Sequence, residues 1–365
     1  MERRNLTLVI LAAGLSTRFG RPKQLEAVGP SGEALLDYAI YDALQAGFTR
    51  VVLVIRQESE AAFKAHVRSQ FHGFVEVRFV FQDPANLPAG APQPGTRRTP
   101  WGTGHALLSA GRVVDGPFAA VNADDFYGAT SYSLLAQHFR DSLSKGDPSH
   151  ALIAYPLRDT LSSWGGVSRG ICRCDAEGNL ESLVEVHGIQ AEGNRIVGLS
   201  DGGDPYLLTG YELASMNAWG FRKTIFGPLE KQFLEFLRGE IAGGAGAGGR
   251  DTEAKPDARA GPEAEVTAGA AGFAVAEAGP PEGPALVSGS GPAEGEFLLS
   301  TAIGEQVERR GARVRVIPAR DPCFGLTFPA DGPSVRSRIN VLVARGDYPE
   351  NLSDWFRSRW SGRGA

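Results

Sequence analysis

Cysteine is scarce in this chain: three residues in 365, at Cys172, Cys174 and Cys323. Three thiols cannot build a disulfide framework, and the "CRC" pair has no second Cys/His cluster to complete a zinc site. Both facts point to reduced, structural cysteines. A basic excess is also missing, since 37 Lys and Arg stand against 42 Asp and Glu. That balance, without a basic stripe interleaved with aromatics, argues against a nucleic-acid binder. No stretch approaches the roughly 20 consecutive apolar residues of a membrane span. The N-terminal "MERRNLTLVILAAG" sets basic residues before an apolar run, but the run is short and enters a polar turn at once, unlike a signal peptide. These absences suggest a cytoplasmic protein with no membrane partner.

What is present is a regular alternation of two periods. "LTLVI" reads as a strand buried on both faces, apolar and β-branched without polar alternation. "GEALLDYAIYDALQAG" then puts Leu35, Leu36, Ala39, Ile40, Ala43 and Leu44 on one helical face, with Gly47 as the stop. "VVLVI", "VEVRFVF" and "PFAAVNAD" read as further strands, separated by helical segments. Such alternation predicts an α/β fold, a mostly parallel sheet covered on both faces. Right-handed crossovers then bring the loops at 12–23, 83–103 and 122–128 to one sheet edge.

From about residue 150 the strands shorten and are broken by Gly, Asn and Asp turns, which predicts a small antiparallel extension. Residues 241–294 are dominated by Gly, Ala, Pro and Glu. They carry too little apolar surface to offset the entropy of ordering, so a disordered insertion is expected there. The expected organisation is one domain from 1–240 plus 295–365. Its 1–150 half would bind one substrate, 151–240 the other, and 295–365 would complete it.

Three loops carry the chemistry. In "LAAGLSTRFGRPKQL" a small-residue turn follows a strand and is succeeded by Arg18 and Lys23. Backbone N–H groups with two fixed cations behind them suit a polyphosphate. This stretch resembles the signature of the nucleotidyltransferases, the NTP transferase or sugar-phosphate pyrophosphorylase family. The resemblance implies a Rossmann-like three-layer sandwich of the GT-A-like kind. It also implies transfer of an NMP unit from an NTP to a phosphorylated sugar, with release of pyrophosphate. Ala12, Ala13 and Gly14 would hold the triphosphate, and Arg18 and Lys23 would be catalytic.

"PWGTGHALL" is similar to the loop with which such enzymes grip base and ribose, implying nucleotide contacts at Gly102 and Thr103. His105 reads as structural. Pro100 stands where uridylyltransferases of this type carry a base-reading Gln, which leaves the base open. "VNADDFYG" places carboxylates after a strand, a natural site for Mg²⁺, which takes few protein oxygens beside phosphates and water. Asp124 aligns with the family's metal-binding Asp, and Asp125 is the fallback. Asp331 is a weak candidate for a second ligand.

Past residue 150 the resemblance is looser. It implies acceptor contacts at Gly166, Glu185 and Asn217, in "SSWGGVSRG", "LVEVHG" and "SMNAWGF". Two alternatives stay open: a cytidylyl- or guanylyltransferase acting on a molybdopterin-like acceptor, and a catalytically silent subunit that binds a nucleotide sugar. Homo-oligomerisation is also open.

Overall fold

A computed structural model describes residues 5–15, 22–73, 75–92, 97–193, 195–200, 202–246 and 295–360, with side chains left aside at 241–246 and 360. The N-terminal part runs β1 (Thr7–Leu11), α1 (Leu35–Ala46), β2 (Arg50–Ile55), α2 (Glu60–Phe71), β3 (Val77–Phe81), α3 (Thr103–Ser109) and β4 (Phe118–Asn122). A two-residue strand β5 (Asp125–Phe126) and the long helix α4 (Ala129–Ser144) follow. The next segment holds β6 (His150–Pro156), β7 (Val167–Cys174), β8 (Leu180–Glu192), β9 (Arg195–Leu199), β10 (Pro205–Leu208) and β11 (Leu213–Phe221). The chain then forms α5 (Phe226–Gly246), α6 (Leu299–Arg310), β12 (Val314–Pro318), β13 (Phe324–Gly325), α7 (Gly332–Ala344) and α8 (Leu352–Trp360).

The strand order β10-β9-β8-β7-β11-β4-β1-β2-β3 describes the main sheet, with β6 also pairing β11 and β12 pairing β6. β4, β1, β2 and β3 run parallel, while β7 to β11 pair antiparallel. This is the mixed, mostly parallel α/β sheet with an antiparallel extension that the two sequence regimes predict. All five residues of β1 are buried, because helices cover both faces. One face packs apolar residues of α1, α2, α4, α7 and α8 against Leu8, Ile10 and Val121. The other packs α3, α5 and α6 against Val9, Leu11 and Trp219. Alternate residues of β1 serve opposite layers, as the two-residue period of a strand requires.

Three details go beyond the sequence reading. The sequence pattern predicts no strand or helix for β12, β13, α7 or α8, yet β12 joins the main sheet beside β6. α5 continues to Gly246, so the first six residues of the expected insertion are helical; 247–294 lie outside the described residues. β11 pairs β7 through Leu213–Ser215 and β4 through Trp219–Phe221. The switch occurs at a bulge containing Asn217, which adopts φ +60°. Among the described residues no helix is long and apolar enough to cross a membrane.

Candidate functional site

The parallel strands end together. Leu11 is level with Val54 on one side and Asn122 on the other, and the Ala123 N–H donates to the Leu11 carbonyl at 3.1 Å. The turn after β4 is thereby held beside the turn after β1. Ala12 donates its N–H to Val54 at 2.8 Å and so belongs to the sheet edge. Ala13 is buried and Gly14 exposed. Among the described residues the N–H groups of Ala13 and Gly14 have no hydrogen-bond acceptor. Gln24 closes this loop by donating from Nε2 to the Gly14 carbonyl at 3.2 Å.

Lys23, next to Gln24 in a one-turn 3₁₀ segment, is ion-paired with Asp124. Its Nζ also donates to the Leu326 carbonyl at 3.1 Å. Both side chains are about four-fifths shielded, 20% and 19% exposed, so their attraction is screened less than that of a surface pair. Arg18 lies outside the described residues.

The adjacent acids Asp124 and Asp125 face different partners. The Asp125 carboxylate accepts from Asn122 Nδ2 at 2.9 Å, and burial together with the neighbouring Asp124 charge pushes its pKa up to about 6. β13 pairs with β5 directly over these acids, and the Leu326 N–H donates to the Asp124 carbonyl at 2.9 Å. A metal-ligating role fits Asp124 on its chemistry. Mg²⁺ needs one or two carboxylates beside phosphate oxygens and water, and here a carboxylate already faces a cation at the strand ends. Among the described residues no group of three or more His, Cys, Asp or Glu could hold a metal alone. Asp331 spends one carboxylate oxygen on the N–H groups of Thr327 and Phe328, at 2.9 and 2.6 Å. That is an N-terminal cap for the turn leading into α7.

The "GTGH" loop is engaged by the protein itself. Gly102 has φ +95°, and a Cβ there would lie 2.7 Å from the Phe297 carbonyl oxygen. Thr103 Oγ1 accepts the Leu299 N–H at 2.9 Å, which caps the start of α6. His105 is buried, stacks on Phe233 with centroids 4.9 Å apart and has its pKa lowered by burial; its role is structural. Sequence reasoning passed over Gln82, buried at the end of β3, whose Nε2 donates to the Gly102 carbonyl at 2.9 Å. A polar residue directly after an apolar strand was the available signal.

Gly166, Glu185 and Asn217 lie at or beside the neighbouring strands β7, β8 and β11, and each packs against the protein's own chain. Gly166 packs against the Gly188 backbone, where a Cβ would lie 2.9 Å away. Glu185 Oε2 accepts from Ser300 Oγ of α6 at 2.8 Å. Asn217 Oδ1 accepts from Trp219 Nε1 at 3.1 Å. An open cleft adjoins Asp125 and is bounded by Trp164, Arg169, Cys323, Gly325 and Arg338, with none of those three residues in its wall. On β7 Gly170 faces Glu185 across the ladder, so the neighbouring Arg169 side chain belongs to the other face. Ser162, Ser163, Trp164 and Arg169 of the wall lie in the "SSWGGVSRG" stretch, while the facing segment 323–338 is far away in sequence and carries no motif.

Residues 8–119 match the family model of the MobA-like NTP transferase domain. No curated protein matches the chain. Among solved structures, the chain is similar to a UDP-glucose pyrophosphorylase from Acinetobacter baumanii, at 15% identity and a TM-score of 0.51, over 98% of this chain and 99% of that one. That likeness concerns the fold, along essentially the whole length of both. The NTP transferase match covers the strand-turn-helix unit that carries the small-residue turn and Lys23, and its boundary falls just before Asp124. Residues 8–119 are thus similar to an NTP transferase domain, and the chain as a whole shares its fold with that pyrophosphorylase.

Proposed function

We propose that the protein transfers an NMP unit from an NTP to a sugar 1-phosphate, with Mg²⁺, in the making of nucleotide sugars. An acceptor phosphate oxygen attacks the α-phosphorus, a new P–O bond forms, and the bond to the bridging oxygen breaks with its electron pair leaving on pyrophosphate. Such a transfer needs in-line positioning and fixed charge rather than a covalent enzyme intermediate. The observation that carries the reading is the Lys23–Asp124 pair at the joined ends of β1 and β4. Lys23 supplies an ammonium, and Arg18 is assigned a guanidinium, for the charge developing on the α-phosphate. The N–H groups of Ala13 and Gly14 offer donors to the triphosphate. Asp124, with Asp125 beside it, would hold Mg²⁺, which when bound neutralises phosphate charge.

The acceptor assignment to Gly166, Glu185 and Asn217, and the base contacts at Gly102 and Thr103, remain part of this proposal. The packing of each of these residues against the protein's own chain gives it a structural role as well.

The test is pyrophosphate release from each NTP with a panel of sugar 1-phosphates, with Mg²⁺ and after chelation. Turnover is expected with one pairing, abolished by EDTA and by Asp124→Ala while the far-ultraviolet circular dichroism stays unchanged. Full turnover in Asp124→Ala would remove the metal assignment. A second reading is transfer to a molybdopterin-like acceptor, and the match of residues 8–119 to a MobA-like NTP transferase domain is compatible with it. Turnover of a pterin phosphate with no sugar 1-phosphate accepted would put that reading first. A catalytically silent subunit is disfavoured because Lys23 and Asp124 are both retained.

A further inference from the structure

Of the site residues assigned above, only Asp125 and Asp331 line the cleft between β5, the 159–164 turn and α7. Its cations are Arg169 and Arg338. Arg169 is anchored by donating to the carbonyls of Ser168 and Thr160, at 2.8 and 2.6 Å. Its Nε is buried and has no hydrogen-bond partner, which is costly unless a ligand supplies one. Arg338 is exposed on α7 and lies over the Phe324 ring, 5.2 Å from its centroid, with no carboxylate partner among the described residues. A planar guanidinium pair of this kind is suited to a phosphate group.

The rest of the wall narrows the ligand. Asp125, Asp159 and Asp331 also face the cleft, so a triphosphate, with its several negative charges, would meet like charge there. A monophosphate ester bearing hydroxyls fits better, because carboxylates accept from hydroxyls while the arginines donate to the phosphate. Trp164, 60% exposed at the rim, presents an open indole face, and such a face suits the apolar C–H side of a sugar ring.

We infer that this cleft, walled by Arg169, Arg338 and Trp164, binds the phosphate end of the phosphorylated sugar acceptor. The inference rests on the reaction proposed above and names its acceptor site. Asp125 lines the cleft and its chain neighbour Asp124 is ion-paired with Lys23, so the cleft and the strand-end pair are one residue apart along the chain. An acceptor held here has its phosphate beside the reacting end of the nucleotide.

Calorimetric titration of the full chain with glucose 1-phosphate, inorganic phosphate and an NTP tests it, in wild type, Arg338→Ala and Trp164→Ala. Arg345→Ala serves as a charge-matched control at the far end of α7. Arg338→Ala is expected to weaken glucose 1-phosphate and inorganic phosphate by about tenfold or more, as for loss of a charged hydrogen-bond donor. Trp164→Ala should weaken glucose 1-phosphate alone, and NTP affinity should stay unchanged throughout. Unchanged glucose 1-phosphate affinity in Arg338→Ala, or no binding of either phosphate to wild type at millimolar concentration, would overturn the inference. A site that responds to Arg338 but ignores the glucosyl group would overturn the sugar assignment. Arg338-dependent binding of glucose 1-phosphate without any pyrophosphate release counts against the proposed reaction and leaves the site standing.

Discussion

Lys23 donates to the carbonyl of Leu326, 303 positions along the chain, while its charge is paired with Asp124. The C-terminal segment thus holds the ammonium that the N-terminal signature supplies. Replacing Lys23 by Ala removes a fixed cation from the place where charge develops. Loss of such a group costs about 3 kcal/mol of transition-state stabilisation, roughly a hundredfold in kcat. Pyrophosphate release under saturating substrates measures it. A kcat within about threefold of wild type would contradict the electrostatic role.

Gly102 is held at φ +95° with the Phe297 backbone against its α-carbon. An alanine there meets both a disfavoured backbone conformation and a main-chain oxygen that has no flexible side chain to yield. Gly102→Ala should lower unfolding stability by about 1–3 kcal/mol. Urea denaturation followed by intrinsic fluorescence reads this directly. An unchanged midpoint, with NTP affinity lost instead, would place the importance of this glycine in the nucleotide contact alone.

His150 is buried, and its Nδ1 accepts the Arg222 N–H at 3.2 Å. Burial, with the Arg222 charge behind it, pushes its pKa down to about 4. The unfolded chain takes up this proton near pH 6.5 and the folded chain does not, so stability is lost as pH falls from about 6.5 towards 4. The full effect is on the order of 3 kcal/mol. His150→Gln keeps an acceptor without titrating. Its stability should fall less steeply than that of wild type over this window, in denaturation midpoints taken at pH 7.5, 6 and 5. Parallel curves would exclude the histidine as a cause of acid sensitivity.

The Gly295 N–H donates to Glu240 at 3.0 Å although the two are 55 positions apart. The chain on either side of the Gly/Ala/Pro-rich stretch therefore meets in space, and a short Gly/Ser linker can replace 250–290. Closure entropy changes only slowly with loop length, so melting temperature and turnover should be nearly those of the full chain. Loss of soluble expression would show that the replaced residues pack against the fold.

Much of this was legible in order along the chain. β1, α1 and β2 could be read because their apolar periods are local and their stops, such as Gly47 with φ +99°, are single residues. β12 and β13 could not. β12 is as long as β1 but carries an arginine and pairs with β6, roughly 160 residues earlier, and the two-residue β13 gains its partner only through β5, roughly 200 residues earlier. The positions of Gly102 and Thr103 were evident from their motif, but their engagement by Phe297 and Leu299 was not. Nothing in the spacing of "GTGH" says which distant segment will lie on it.

By itself the sequence determined the alternation of strands and helices, the small-residue turn after β1, and the cation and carboxylate carried in the loops that follow β1 and β4. These are short-range properties of period, residue type and spacing, and they suffice because parallel strands must bring their following loops to one edge. Only the tertiary structure decided what those groups meet: Lys23 against both Asp124 and Leu326, Glu185 turned to Ser300, and Arg169 facing a cleft with Arg338. Long-range packing chooses such partners. A strand's two faces receive different neighbours, so residues adjacent in sequence, such as Arg169 and Gly170, serve opposite sides of the sheet.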